Sequence, residues 1–365
     1  MNKSPLEHGN TQLWKTLLKG REDLSWAGAS AGDHGFCFGT EDGAVLWTNF
    51  DGVQYGDPLP NATLDNYDEA INGIAFNAGH MVATSRSGSA IWKNAEGKAS
   101  KRKAVRIGIG SHGVVAGHDG AFNMALNVGG LMSVHESSPS HISTFTSASD
   151  AMDLNVYRTV SLTSTAGRQV VALAARFGGV AMGLYKPGDM LNLTALELPD
   201  ADFIDICSTG KSNFPLAAYA ITRDSHILAF QDVMTDRKPN VVHYEGIPGV
   251  AYRILAAGDF VFVLTSKALH VIYKLVECSL GYFKVIRRTP STSFVLEAID
   301  ISLVGNKWLL VLLADGVLRL DLHELAKDLA SDFEDKVSSP TDVWANPVVK
   351  VRQLDSHKSD FALVK

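Results

Sequence analysis

Apolar residues in this chain come in short runs, each stopped by a glycine or a small polar cluster, and the runs return at a nearly constant interval. The segment Gly39-Thr40-Glu41-Asp42-Gly43-Ala44-Val45-Leu46-Trp47 has a counterpart in Ala83-Thr84-Ser85-Arg86-Ser87-Gly88-Ser89-Ala90-Ile91-Trp92. In both, a turn ending in Gly precedes a Trp by four residues, and the Gly pair and the Trp pair are each 45 residues apart. An apolar stretch leads into each unit, His34 to Phe38 and Met81 to Ala83. Glycine supplies the positive φ of a tight hairpin while β-branched and aromatic residues flank it, so the pattern predicts strand, turn, strand.

The same signal returns at Leu126 to Met132, Ala175 to Ala181, Ile221 to Leu228, Val263 to Leu269 and Leu312 to Leu318. With turns near 43, 88, 130, 179, 225, 267 and 316, the steps are 45, 42, 49, 46, 42 and 49, a mean of 45.5. A period in the forties built from short strands is one blade of a β-propeller: four strands, three turns and a link. Helical repeats share such periods, but long i, i+3, i+4, i+7 apolar runs are missing from the repeats, and the 32 glycines recur through them. The expected fold is all-β, a seven-bladed β-propeller occupying 1–355 as one domain.

Innermost strands crowd a central channel and should be small and apolar, as are Ile71 to Phe76, Gly113 to Ala116, Phe203 to Cys207 and Ala298 to Leu303. Outermost strands should be more polar, as are Ala99 to Ile107, Leu191 to Leu198, Asn240 to Tyr244 and Phe283 to Arg288. A propeller closes its ring by lending a terminal strand to the last blade, which removes exposed sheet edges. Leu13 to Leu18 followed by Trp26 mirrors Leu191 to Leu196 followed by Ile204, a step of 13 residues in both. The N-terminus is therefore the expected closing strand, with Val348 to Val351 as its competitor.

One segment breaks the strand pattern. In 321–336, Leu322, Leu325, Leu329 and Phe333 form a single apolar stripe, while Glu324, Asp328, Asp332, Glu334 and Asp335 make the rest acidic. This predicts one C-terminal amphipathic helix inserted after the last repeat, either covering its own blade or offering the stripe to a partner. The end, 356–365, is expected to be a mobile tail.

Composition narrows the class. Of 365 residues, 46% are hydrophobic and 20% charged, enough for a large core and too little charge for a disordered chain. A net charge of −6 spread over this length argues against a dedicated nucleic-acid binder. No stretch reaches the roughly 18 apolar residues of a membrane span, and Met1 to Gly20 carries no apolar leader core, so the expected location is cytoplasmic. Cys37, Cys207 and Cys278 are odd in number and set among apolar residues, which fits reduced buried thiols.

The first repeat, Gly39 to Trp47, resembles the third-strand region of a WD40 repeat, and the step length is similar too. The resemblance covers the whole chain as architecture and about ten residues of each repeat as motif, which implies a divergent WD40-like propeller. No Trp-Asp dipeptide closes a repeat, and Gly79-His80 and Gly117-His118 do not recur at the WD40 spacing, so the hydrogen-bonded tetrad of WD40 blades is not carried over.

Features that could carry chemistry are few. Gly108-Ile109-Gly110-Ser111-His112-Gly113 has dinucleotide-binding spacing, but that motif needs a following helix, and Val114-Val115-Ala116 reads as strand. His112, His118 and Asp119 could ligate a metal, yet histidines beside glycines are ordinary turn residues. No cofactor and no metal is expected. The basic patch Lys98, Lys101, Arg102, Lys103 and Arg106 lies on a predicted outer strand without interleaved aromatics, as a solvated edge does.

The expected function is a non-enzymatic protein–protein interaction module, a scaffold or adaptor subunit in a multi-subunit complex, because rigid sheets present their loops as a broad surface. Contacts are expected at the stripe Leu322, Leu325, Leu329 and Phe333, on loops such as Asp65 to Glu69 and Lys211 to Phe214, and on the loop after Ser137. The alternative is a hydrolase or lyase with a carboxylate site in the central channel, drawn from Asp150, Asp153, Asp202, Asp205, Glu297 and Asp300.

Overall fold

A computed structural model of the chain describes residues 13–30, 35–54, 59–60, 69–77, 79–92, 104–108, 110–116, 120–126, 131–135, 138–145, 156–163, 170–185, 194–208, 218–223, 225–231, 240–244, 247, 249–258, 260–273, 275–277, 283–285, 298–327 and 351–354. Most of them are strand. After β1 (Trp14–Leu17), the first repeat folds as an antiparallel sheet of β2 (Leu24–Ser30), β3 (Phe36–Thr40), β4 (Ala44–Thr48) and β5 (Leu59–Pro60), in that order. The second is β6 (Gly73–Asn77), β7 (His80–Thr84), β8 (Ser89–Trp92) and β9 (Ala104–Ile107). The third is β10 (Ser111–Ala116), β11 (Ala121–Leu126), β12 (Leu131–His135) and β13 (Ser138–Phe145).

The fourth and fifth repeats share one continuous sheet: β14 (Val156–Thr163), β15 (Val170–Tyr185), β16 (Thr194–Ser208), β17 (Ala218–Thr222), β18 (Ile227–Gln231) and β19 (Asn240–Tyr244). Here the structure departs from the expected hairpin at 179. Gly178-Gly179 lies inside β15, which pairs with β14 through residues up to Arg176 and with β16 from Phe177 onward. A register shift falls between Phe177 and Gly179. The glycine pair falls where β15 changes partner from β14 to β16.

The sixth repeat contributes β20 (Ala251–Ala257), β21 (Phe260–Thr265) and β22 (Leu269–Tyr273), followed by a separate pair, β23 (Leu275–Glu277) and β24 (Phe283–Val285). The last is β25 (Ala298–Val304), β26 (Trp308–Leu313) and β27 (Gly316–Asp321), and β1 completes it as a fourth strand, with Trp14 opposite Leu320 and Leu17 opposite Val317. The C-terminal β28 (Val351–Leu354) pairs instead with β19.

The core is partitioned between neighbouring sheets. Leu24, Phe36 and Phe38 of the first repeat pack with Trp308, Leu310 and Leu312 of the last. Trp26 and Trp47 meet Ile74 and Met81 of the second, whose Val82 and Ile91 meet Phe122 and Met132 of the third. Because β-strands alternate their faces, each sheet can bury both sides against its two neighbours, and this explains the nearly continuous burial of β3, β7, β11, β17 and β21.

Residues 322–327 are helical, and 328–336 of the expected helix lie outside the described residues. Asp321 caps this helix, its Oδ1 accepting the His323 N–H at 2.9 Å and the Glu324 N–H at 3.2 Å. Leu322 and Leu325 are fully buried against Trp14, Leu318 and Leu320.

One end of every sheet matters for the site. Each inner strand begins where the second strand ends, so inner-strand starts and the turns between second and third strands share an end. Hydrogen bonds stitch this turn end from sheet to sheet: Ile71 N–H to Thr40 O at 3.1 Å, Ser111 N–H to Ser85 O at 3.0 Å, and the Ser225 hydroxyl to Gly249 O.

Candidate functional site

Most inner strands carry a shared defect, β6 being the exception. Register shifts occur between Leu24 and Trp26, Ser111 and Gly113, Val156 and Arg158, Phe203 and Asp205, Ala251 and Arg253, and Ala298 and Asp300. A bulge inserts one unpaired residue and re-aims its neighbours, so recurrence at one place in successive sheets brings equivalent side chains together. The post-bulge residues Arg158, Asp205, Arg253 and Asp300 follow one another at steps of 47, 48 and 47. Asp205, Arg253 and Asp300 therefore alternate in charge along this part of the inner wall.

Three of those residues meet. Arg253 Nε lies 3.5 Å from Asp205 Oδ2 and 3.6 Å from Asp300 Oδ1, all three side chains being largely buried. Burial opposes the guanidinium charge, but Asp300 and Asp205 more than offset it and hold the arginine more firmly protonated than usual. Each carboxylate also serves the backbone: Asp205 Oδ2 accepts the Ile254 N–H at 3.0 Å, and Asp300 Oδ1 accepts the Ile301 N–H at 2.8 Å. The fifth repeat is thus tied to the sixth, and the sixth to the last. A cation thus stands between the two carboxylates.

On other repeats the inner wall is small. A Cβ added to Gly73 would lie 2.9 Å from Val114 N and 3.1 Å from Gly113 Cα, so glycine permits the second and third inner strands to touch.

Above the ion cluster, at the turn end, apolar side chains reach solvent. Val250 is 49%, Tyr252 51% and Ile299 54% exposed. Tyr252 and Ile299 are the residues inserted by the bulges before Arg253 and Asp300.

The turns beside them are held by a hydroxyl that sequence reading passed over. Thr40 Oγ1 accepts the Ala44 N–H at 2.8 Å, Thr222 Oγ1 the His226 N–H at 3.2 Å, Thr265 Oγ1 the Ala268 N–H at 3.2 Å, and Ser85 Oγ the Gly88 N–H at 3.3 Å. The signal was legible: a Thr or Ser closing an apolar strand three or four residues before the next one begins. Ser225 holds φ at +64° where Gly43 holds +83°, and a non-glycine residue in that region is uncommon.

The sequence-predicted residues fare unevenly. Leu322 and Leu325 are consumed by the protein's own core, which takes them out of a partner-facing stripe, while Leu329 and Phe333 lie outside the described residues. Arg106 is exposed on β9, and Lys98, Lys101, Arg102 and Lys103 lie outside. Asp205 and Asp300 come together only through Arg253. Asp202 is on β16, and Asp150, Asp153 and Glu297 lie outside. His112 is on β10, so a strand follows the Gly108–Gly110 pair, and His118 and Asp119 lie outside. Of Asp65 to Glu69 and Lys211 to Phe214 only Glu69 is described, and it accepts from Ser85 Oγ and the Ser87 N–H, both at 2.9 Å; the expected loop after Ser137 is instead strand β13. Trp47 Nε1 is buried without an acceptor among the described residues, so its blade lacks a hydrogen bond at that nitrogen.

No family description and no curated protein matches this sequence. Solved structures match over most of its length. The β-propeller domain of Cps50 (Swd1) from Myceliophteria thermophila aligns with 84% of this chain and 99% of its own at 13% identity and a TM-score of 0.60. The WD40 repeats of RRP9 align with 88% and 99% at 11% identity and a TM-score of 0.60. YCF48 bound to D1 peptide aligns with 86% and 98% at 11% identity and a TM-score of 0.56. Identities this low speak to fold and not to function. Sheet order, burial pattern and these alignments agree that the chain has a divergent WD40-like β-propeller fold.

Proposed function

We propose that the protein is a non-enzymatic interaction module, a scaffold or adaptor subunit of a larger cytoplasmic assembly, built as seven blades whose ring is closed by the N-terminal strand. The observation that carries this reading is the turn end, where apolar side chains stand exposed on strand starts held rigid by the Asp205–Arg253–Asp300 cluster. A rigid scaffold presenting an adaptable rim is how propellers bind other chains. YCF48, whose structure is similar, has been solved bound to D1 peptide. In this reading the helix expected over 321–336 covers the last blade, and Leu329 and Phe333 are what remains of its stripe for a partner. The basic run from Lys98 to Arg106 is the solvated outer edge of the second blade.

The rival reading, a hydrolase or lyase using channel carboxylates, loses its best pair because Asp205 and Asp300 both face Arg253. Affinity capture of the native protein from its own cells, followed by mass spectrometry, separates the two. A stoichiometric protein companion is expected; a bound small molecule without one would favour the enzyme.

A further inference from the structure

We infer that the turn end of the sixth and last repeats docks a polypeptide segment of a partner that carries apolar side chains next to a lysine or arginine, an inference that rests on the interaction-module reading. Four large apolar residues are exposed among the described residues, Val53, Val250, Tyr252 and Ile299, and the last three share this rim. Isolated exposed apolar residues are ordinary, whereas a cluster on one surface marks a contact. These residues stand on strand starts rather than loop tips. Tyr252 and Ile299 occupy equivalent bulge positions, and the 3.6 Å Arg253–Asp300 pair beneath fixes their strands side by side. A partner meeting this surface therefore orders little of it, which favours affinity.

Charge selects the partner. Exposed Arg223 and Lys267 stand on the turns of the fifth and sixth repeats, while exposed Glu41, Asp42 and Asp315 stand on those of the first and last. Under the rim, one arginine faces two aspartates. The 18–23 loop, tied to Asp315 and Glu41 by backbone hydrogen bonds, adds Lys19 and Arg21 but also Glu22 and Asp23, which balance them, so the surface still grows acidic from Tyr252 past Ile299 toward Asp315, Glu41 and Asp42. A segment with its apolar side chains on Tyr252 and Ile299 and its basic residue over the last and first repeats is complementary to it, whereas a polyanion such as RNA meets repulsion there.

Random dodecapeptides displayed on phage and selected on the immobilised full-length protein test this. The enriched peptides are then titrated against wild type, a Tyr252→Thr/Ile299→Thr variant and a Glu41→Lys/Asp315→Lys variant. Expected are peptides combining apolar and basic residues whose affinity falls at least about tenfold in each variant, a change of about 1.4 kcal/mol. Hydrogen exchange on the wild type should show peptide-dependent protection at 250–252 and 298–300, a readout independent of how the variants fold. Enriched peptides lacking basic residues, protection elsewhere, or stronger binding of single-stranded RNA at this rim would overturn the inference. A native companion that both variants still capture would also overturn it while leaving the interaction-module reading intact. A wild-type protein without any companion, but with the expected peptide binding, would remove the module reading and keep the docking surface.

Discussion

Arg319 donates from Nη1 to the Phe50 carbonyl oxygen at 2.7 Å, joining the last sheet to the first across 269 residues of sequence. Its guanidinium also lies over the Trp308 ring, 5.4 Å from the centroid, and that ring packs against Phe50 at 4.8 Å and Phe36 at 5.5 Å. An aromatic cluster with a cation over it thus seals the junction between chain start and chain end. Arg319→Met keeps the stem and removes both the hydrogen bond and the cation–π contact. Urea unfolding should show a loss of roughly 1–3 kcal/mol, and an unchanged midpoint would mean that the junction is held by apolar packing alone.

The same junction depends on β1. A chain lacking residues 1–19 leaves the β27 edge unpaired and removes the buried Trp14 and Leu17. Burial of two such side chains is worth on the order of 4 kcal/mol, and an open edge invites association. Light scattering should show self-association and calorimetry a lower melting temperature. A stable monomer after truncation would exclude β1 as the closing strand.

Arg253 is the only cation between Asp205 and Asp300 among the described residues, so Arg253→Met strands two buried carboxylates. A loss of about 3–5 kcal/mol is expected in denaturant titrations. The triple variant Asp205→Asn/Arg253→Met/Asp300→Asn should recover most of it, because the amide oxygens can still accept the Ile254 and Ile301 N–H groups. Failure to recover would show that the arginine stem, and not its charge, does the holding.

Cys37 and Cys207 are buried, and burial raises both thiols well above their ordinary pKa; for Cys207 the Asp205 charge adds to this, while Arg253 and the Tyr219 backbone oppose it. Neither should react with iodoacetamide in the native protein, and both should be alkylated after unfolding. Peptide mapping reads the outcome directly, and native modification of either site would contradict its burial.

Glu69 links pH to stability. Partial burial favours its neutral form, but hydrogen bonds from the Ser87 and Ser85 hydroxyls and the Ser87 N–H outweigh this and leave its carboxyl below the usual glutamate value. A lowered folded pKa contributes stability that is complete above the unfolded value of about 4.3 and is lost as the pH falls through the folded one. Wild type should therefore exceed Glu69→Gln in stability near neutrality, with the gap closing in acid. A gap that persists at low pH would assign the effect to shape rather than charge.

Much of this fold is legible in the residues. The Gly43 and Gly88 units, the apolar runs from Phe36 and Met81, and the step near 45 residues all predict short strands in repeated units, because hairpin chemistry is local. The long β15 is less legible: Gly178-Gly179 reads as a turn in isolation, yet it lies within one strand element, at the point where the partner changes from β14 to β16. The site was half legible. Asp205 and Asp300 stand out as acids on inner strands, but Arg253, inside Ala251-Tyr252-Arg253-Ile254-Leu255, gives no local hint of lying between them.

The sequence alone determined the strand content, the repeat length and the positions where most turns fall, since these follow from φ preferences and from the alternation of apolar residues over a few neighbours. Only the tertiary structure decided which charges meet, that β1 pairs with β27 while β28 joins β19, and that Leu322 and Leu325 turn inward. Those outcomes depend on bulges and registers in strands nearly fifty or several hundred residues apart. A one-residue change of register would send each side chain to the opposite face, and no short stretch of sequence encodes that choice.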